Sequence, residues 1–243
     1  RKLITFSLGM LMIFSCKKEE KASQKEQPEP LSQYSIEQFM DVENAFANGF
    51  SPDNKTVLMT SNRSGIYNMY TVPAGGGELK PITQSDSASV YGISYFPEDD
   101  RILFRMDGNG DEIFKIFVKD SSGIRRLTPA KNVRALFRGW SKDGKSFFYD
   151  SNERDSKFMD HYEMNISDFS SKMIYKNEEG MDLQGKSEDK NYIVLSKTIN
   201  TNDSDLFLLN KKTGEKTKIN ENLSSNAFED FSPDGKYLYY TTD

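Results

Sequence analysis

The sequence predicts an all-β chain folded as a β-propeller, and three observations predict it. The first is a repeat. Phe50-Ser51-Pro52-Asp53-Asn54-Lys55 returns as Tyr95-Phe96-Pro97-Glu98-Asp99-Asp100 and as Trp140-Ser141-Lys142-Asp143-Gly144-Lys145. It returns again as Lys186-Ser187-Glu188-Asp189-Lys190-Asn191 and Phe231-Ser232-Pro233-Asp234-Gly235-Lys236. Aligned on Pro52, Pro97, Lys142, Glu188 and Pro233, the copies stand 45, 45, 46 and 45 residues apart. A period this constant marks one supersecondary unit stacked several times. The second observation is the internal order of each copy: four β-rich runs separated by polar turns, the size of a propeller blade. The third is composition. Aromatic residues make up 12% of the chain, which suits strands better than helices. A β-sandwich also turns every ~8–12 residues, but it supplies no reason for equal blocks with the same internal order.

Arg1 and Lys2 open the chain, and Leu3 to Phe14 is an apolar run. It is shorter than the ~20 residues a bilayer span needs, so it reads as a secretory signal. Ile13-Phe14-Ser15-Cys16 resembles a bacterial lipobox. Residues 1–16 are therefore expected to be a lipoprotein signal peptide. Cys16, the single cysteine, is the expected lipidation site and anchor to the membrane; a plain signal peptide with an incidental Cys is the alternative. Lys17-Lys18-Glu19-Glu20 is similar to the Lys-acidic-acidic tract that sends lipoproteins to the cell surface in one group of Gram-negative bacteria, and reads equally as a solvated charge run. Residues 17–33 carry too little apolar surface to pack and read as a flexible tether.

Residues 34–42 are expected to hold a short lead-in helix packed on the first blade, because Ser35-Ile36-Glu37-Gln38 has the form of a capping box. The propeller occupies 43–243. Its blades run over about Asn44 to Thr83, Val90 to Thr128, Arg134 to Tyr175 and Gly180 to Asn220, with a fifth beginning at Ala227. In each blade a polar turn with Asp-Asn or Asp-Gly at its tightest point, where φ > 0 must be tolerated, feeds the second strand: Thr56 to Thr60, Arg101 to Arg105, Ser146 to Asp150, Asn191 to Ser196 and Lys236 to Thr241. Third strands are expected at Tyr67 to Val72, Ile113 to Val118, His161 to Asn165 and Asp205 to Leu209. Four four-stranded blades plus the start of a fifth make an incomplete ring, so the chain is expected to be a fragment of a longer protein.

Charge and composition exclude several functions. A net charge of −5 with no basic stripe argues against nucleic-acid binding. One Cys forbids an intramolecular disulfide, and one His excludes a His-rich metal site.

Asn62-Arg63-Ser64-Gly65-Ile66-Tyr67-Asn68-Met69-Tyr70, continued by Gly76-Gly77-Glu78-Leu79-Lys80-Pro81-Ile82-Thr83, resembles the WD40-like repeats shared by periplasmic TolB proteins and by the propeller domain of the prolyl oligopeptidase (S9) family of serine peptidases. Three stretches are similar to the peptidases in particular: Asp107-Gly108-Asn109-Gly110-Asp111-Glu112 before its aromatic strand, Gly139-Trp140-Ser141-Lys142-Asp143-Gly144-Lys145 with Ser151-Asn152-Glu153-Arg154, and the helix at Ser35. The resemblance spans about Tyr34 to Asp243. It implies a noncatalytic propeller that admits small or unfolded peptide substrates to a separate α/β-hydrolase domain. With the lipobox at Cys16, the protein is expected to be lipid-anchored to the outer membrane of a Gram-negative envelope, with exposure at the cell surface left open. The alternative is a TolB-like envelope interaction propeller without enzymatic activity; a carbohydrate-binding propeller is a third and weaker reading.

No catalytic residue is carried over. Gly-x-Ser-x-Gly is absent, and Gly92-Ile93-Ser94-Tyr95-Phe96 fails at its last position. His161, the only His, lies in a strand with no activated nucleophile around it and reads as structural. Asp107, Asn109 and Asp111 alternate as in a calcium loop, but Glu112 stands where the EF-hand needs Gly, so the run reads as a turn and no metal is expected. Glu178-Glu179 reads as a solvated loop rather than an amino-terminus clamp. Trp140 reads as core, and Arg63, Arg105, Arg138 and Arg154 are left open between channel and loop roles. No cofactor is expected.

Overall fold

The computed structural model describes residues 33–129 and 132–243. Cys16, the expected signal peptide and nearly all of the expected tether lie outside the described residues. The described residues fall into two units, 33–42 and 43–243.

In the first unit, α1 (Ile36–Met40) is started by the expected capping box. Ser35 Oγ accepts from the Gln38 N–H at 3.3 Å, and Gln38 Oε1 accepts from the Ser35 N–H at 2.9 Å. Two amide donors that a helix start leaves orphaned are thus satisfied. Tyr34 and Phe39 meet edge-on, 5.8 Å between ring centres.

The second unit is a run of antiparallel sheets. The first sheet holds β1 (Ala45–Phe50), β2 (Thr56–Ser61), β3 (Asn68–Pro73) and β4 (Lys80–Pro81); the second holds β5 (Val90–Tyr95), β6 (Ile102–Met106), β7 (Lys115–Asp120) and β8 (Gly123–Arg126). The third is β9 (Ala135–Trp140), β10 (Ser146–Ser151), β11 (Asp160–Asn165) and β12 (Ser171–Tyr175), and the fourth is β13 (Asp182–Lys186), β14 (Tyr192–Thr198), β15 (Ser204–Asn210) and β16 (Lys216–Lys218). The fifth pairs β17 (Asn226–Phe231) with β18 (Leu238–Thr242). Every sheet runs in chain order, each strand bonded to the next. These are the expected four blades and the first two strands of another.

The repeat is written in hydrogen bonds. In blades one, three, four and five a serine hydroxyl ends the turn after the first strand: Ser51, Ser141, Ser187 and Ser232 donate to Asp53, Asp143, Asp189 and Asp234 at 2.6–2.7 Å. Each hydroxyl also accepts the amide five residues on, and each Asp accepts the amide two residues on. The turn is therefore closed from inside. Positive φ falls where expected at Asn54, Gly144 and Gly235, and at Lys190 in blade four (φ 59°). Blade two departs from the expectation: no residue of Pro97 to Arg101 has positive φ. Phe96 replaces the serine, and the turn is held by Asp99, which accepts from the Arg101 amide and binds its guanidinium. Strand starts also shift by a residue or two. The third strand of blade two begins at Lys115 rather than Ile113, because Asp111 and Asp107 accept the Ile113 and Glu112 amides and keep those residues in the hairpin.

The core lies between blades. Leu58 and Met69 of blade one pack with Val90, Tyr95, Ile102 and Phe104 of blade two. Phe96, Leu103, Ile116 and Val118 of blade two pack with Phe147, Tyr149, Tyr162 and Met164 of blade three. Neighbouring strand residues point to opposite faces, so Phe104 serves one seam and Leu103 the next.

Candidate functional site

The first strand of every blade carries one extra residue. Pairing slips at Asn48, Ile93, Arg138, Gln184 and Glu229, the same place in each repeat. Such a bulge bends the strand and re-aims the side chains beyond it. Two residues later the strand ends at Phe50, Tyr95, Trp140, Lys186 and Phe231. Four copies place an aromatic ring there, and blade four places a lysine.

That lysine sits where the seam changes character. Between blades three and four, the face of blade three presents Phe148, Asp150, His161 and Glu163 with Arg138. Asp150 and His161 are cross-strand partners. His161 Nδ1 donates to Asp150 Oδ1 at 2.5 Å, and Arg138 Nε donates to the other oxygen of Asp150. The imidazole stacks on Phe148 with ring centres 5.8 Å apart. The Lys186 ammonium lies over the π cloud of the same Phe148 ring. Glu163 accepts from Ser146 at 2.7 Å and from Lys190 of blade four at 3.1 Å. Burial pushes the Glu163 carboxyl up, but the Ser146 hydroxyl and Lys190 hold it below the usual range. Behind this, Arg154 clamps the buried Asp160 at 2.6 and 2.9 Å and donates to the Asn177 carbonyl at 2.7 Å.

Lys186 opens on a cavity of about 280 Å³ between blades three, four and five, walled by Trp140, Phe148 and Phe231 and edged by charged turn residues. Burial pushes the Lys186 amine down to about 8, because a desolvated ammonium loses hydration that its neutral form does not need.

Each residue singled out from the sequence has a definite place. His161 is 3% exposed and engaged by Asp150; among the described residues no hydroxyl bonds to it, so it has no nucleophile to activate. Asp111 accepts from the Gly108 and Ile113 amides at 3.0 and 2.9 Å, which turns it into its own hairpin. Among the described residues no group of three or more His, Cys, Asp or Glu side chains is arranged to hold a metal ion. Glu178 and Glu179 form ion pairs with Lys176 and Lys216. Arg138 and Arg154 belong to the seam, Arg105 lies over the Tyr91 and Phe114 rings, and Arg63 pairs with Glu43 at 3.7 Å. Trp140 is packed against Phe96, Phe137 and Phe147, as expected of core, and its indole N–H donates to Ser94 of blade two at 3.0 Å. Sequence reasoning passed over Lys186. The signal was there, since it alone breaks an otherwise aromatic column of the repeat.

No family model and no curated protein matches the sequence. Solved structures do match. TolB from Acinetobacter baumannii is 19% identical with a TM-score of 0.52, over 81% of this chain and 48% of TolB. An oligogalacturonate lyase solved with manganese is 14% identical with a TM-score of 0.55, over 83% of this chain and 60% of the lyase. A prolyl endopeptidase is 12% identical with a TM-score of 0.54, over 77% of this chain and 31% of the endopeptidase. The chain thus spans about half of the TolB and a third of the endopeptidase it matches. At these identities the likeness establishes architecture alone: residues 43–243 have a β-propeller fold like that of these structures.

Proposed function

We propose that this chain is the noncatalytic, substrate-admitting propeller of a secreted serine peptidase of the prolyl oligopeptidase family. The observation that carries the reading is the propeller fold shared with a prolyl endopeptidase, on blades whose sequence at Asp107 to Phe117 and Gly139 to Arg154 resembles that family. In this reading the propeller hydrolyses nothing. It admits short or unfolded peptides and turns folded proteins away, while the hydrolysis belongs to an α/β-hydrolase domain of the whole protein. The sole histidine fits a structural role, since Asp150 and Phe148 hold it in the seam. Lipidation at Cys16 would tether the protein to the outer membrane of a Gram-negative envelope; among the described residues no helix is long and apolar enough to cross a membrane.

A second reading is favoured by the TolB match, whose identity of 19% exceeds that to the endopeptidase: an envelope propeller that binds a protein partner and has no hydrolase. One experiment separates them. The gene-length protein is assayed on a chromogenic dipeptide and on a folded protein, with and without a serine-directed inhibitor. The peptidase reading expects inhibitor-sensitive cleavage of the dipeptide alone; no cleavage of either substrate favours the interaction module.

A further inference from the structure

We propose that the cavity between blades three, four and five binds a monocarboxylate carried on an apolar group, as a peptide presents at its C-terminal residue, with Lys186 as the counter-ion. The proposal stands whether or not a hydrolase accompanies the propeller.

Four observations converge. The first is charge pairing. Of the three lysines that line the cavity, Lys142 pairs with Glu188 at 3.3 Å and Lys190 with Glu163 at 3.1 Å. Among the described residues no carboxylate stands within ion-pair distance of Lys186; the Glu163 carboxylate, bonded to Ser146 and Lys190, acts on it from farther off, and the Lys190 and Lys211 ammoniums oppose it. The hydroxyls of Ser141, Ser187 and Ser232 are committed to their own turns, so they do not solvate it either. The second is desolvation. Lys186 meets the Phe148 ring where a directly bonded carboxylate could stand, and an incoming carboxylate restores to the ammonium what burial removed. The third is shape. About 280 Å³ bounded by Trp140, Phe148 and Phe231 lies near the lower end of small-molecule pockets, ~300–1,000 Å³. It suits one side chain with its terminal carboxylate. The fourth is the repeat itself. Position 186 is aromatic in the other four copies, and a local break in an otherwise consistent pattern marks function more often than accident. With Glu188 neutralised by Lys142, Asp143 and Asp230 at the edge disfavour a second negative charge, which selects monocarboxylates over a C-terminal Asp or Glu.

Trp140, the only tryptophan, reports from the wall of the cavity. The full chain is titrated with N-acetylphenylalanine, its C-terminal amide, N-acetylglutamate and acetate, with Trp140 emission as the readout. N-acetylphenylalanine is expected to give a saturable change that the amide, the diacid and acetate do not reproduce at the same concentrations. Between pH 7 and pH 9 its affinity is expected to fall about tenfold, as an amine titrating at about 8 loses its proton. Lys186→Met, which keeps an apolar stem, is expected to abolish the acid–amide difference, and Lys186→Arg to keep it, with strand content by circular dichroism unchanged in both. The proposal is overturned if acid and amide bind alike, if neither saturates, or if folded K186M still prefers the acid. The pH series on the unaltered chain overturns it independently if affinity is the same at both values.

Discussion

At the scale of single residues, the turn staple is the feature that recurs most faithfully. Ser187 is 4% exposed, donates to Asp189 and accepts the Tyr192 amide. Ser187→Ala removes the hydroxyl and strands a backbone donor, so it is expected to cost about 1 kcal/mol, read as a lower urea midpoint at unchanged slope. The partner carboxylates set an acid limit. Hydrogen bonding from Ser51 and the Lys55 amide holds Asp53 down at about 2, and Asp143, Asp189 and Asp234 are lowered by their serines in the same way. A folded-state value below the unfolded one contributes stability above the unfolded value, which disappears as pH falls through the folded one. Thermal stability is therefore expected to decline as pH drops from about 4 to about 2, and Asp53→Asn to flatten that slope. A midpoint indifferent to pH over that range contradicts the staple. The Ser and Asp spacing was legible in the sequence because it repeats. Lys186 was not read as a site, because a lysine at a strand end looks like an ordinary solvated residue until Phe148 and the cavity are placed around it.

At the scale of elements, one bulge per first strand bends every blade alike, and backbone freedom is spent where the bend is tightest. Gly49 and Gly139 come directly after the bulge at φ of +143° and +131°, which side chains rarely tolerate. Gly92 serves a different purpose. Its amide donates to Thr60 Oγ1 at 3.0 Å and its carbonyl accepts from Asn48 Nδ2 at 2.8 Å, joining blades one and two. A Cβ there would stand 2.8 Å from Asn48 Oδ1 and 3.2 Å from Leu58 Cδ2. Gly92→Ala is expected to destabilise the chain by ~1–3 kcal/mol through overpacking, whereas Gly75→Ala, with open space around it, is expected to be near neutral in the same melt. Strand order and turn positions were readable from the 45-residue period. The bulge was not, since one extra residue inside an alternating run leaves the period unchanged, and the charged seam was not, since Asp150 and His161 become neighbours only through strand register.

At the scale of the whole molecule, stability resides in the seams, and the seams are not alike. Blades one, two and three are joined by rings and aliphatic chains. Between the third and fourth a smaller apolar cluster, Met181, Ile193 and Leu195 with Tyr175, is supplemented by Glu163 with Lys190, Lys142 with Glu188, and Phe148 with Lys186. The fold rests on one unit counted out at a fixed interval, and amide hydrogen exchange resolved along the chain tests that most directly, because protection tracks buried, bonded strands. The account predicts maxima at β2, β6, β10 and β14, each flanked by fast-exchanging turns and returning at the spacing of the Ser-x-Asp turns. Protection without that period, or a single slow block crossing the turns at 52, 97, 142 and 188, would contradict it.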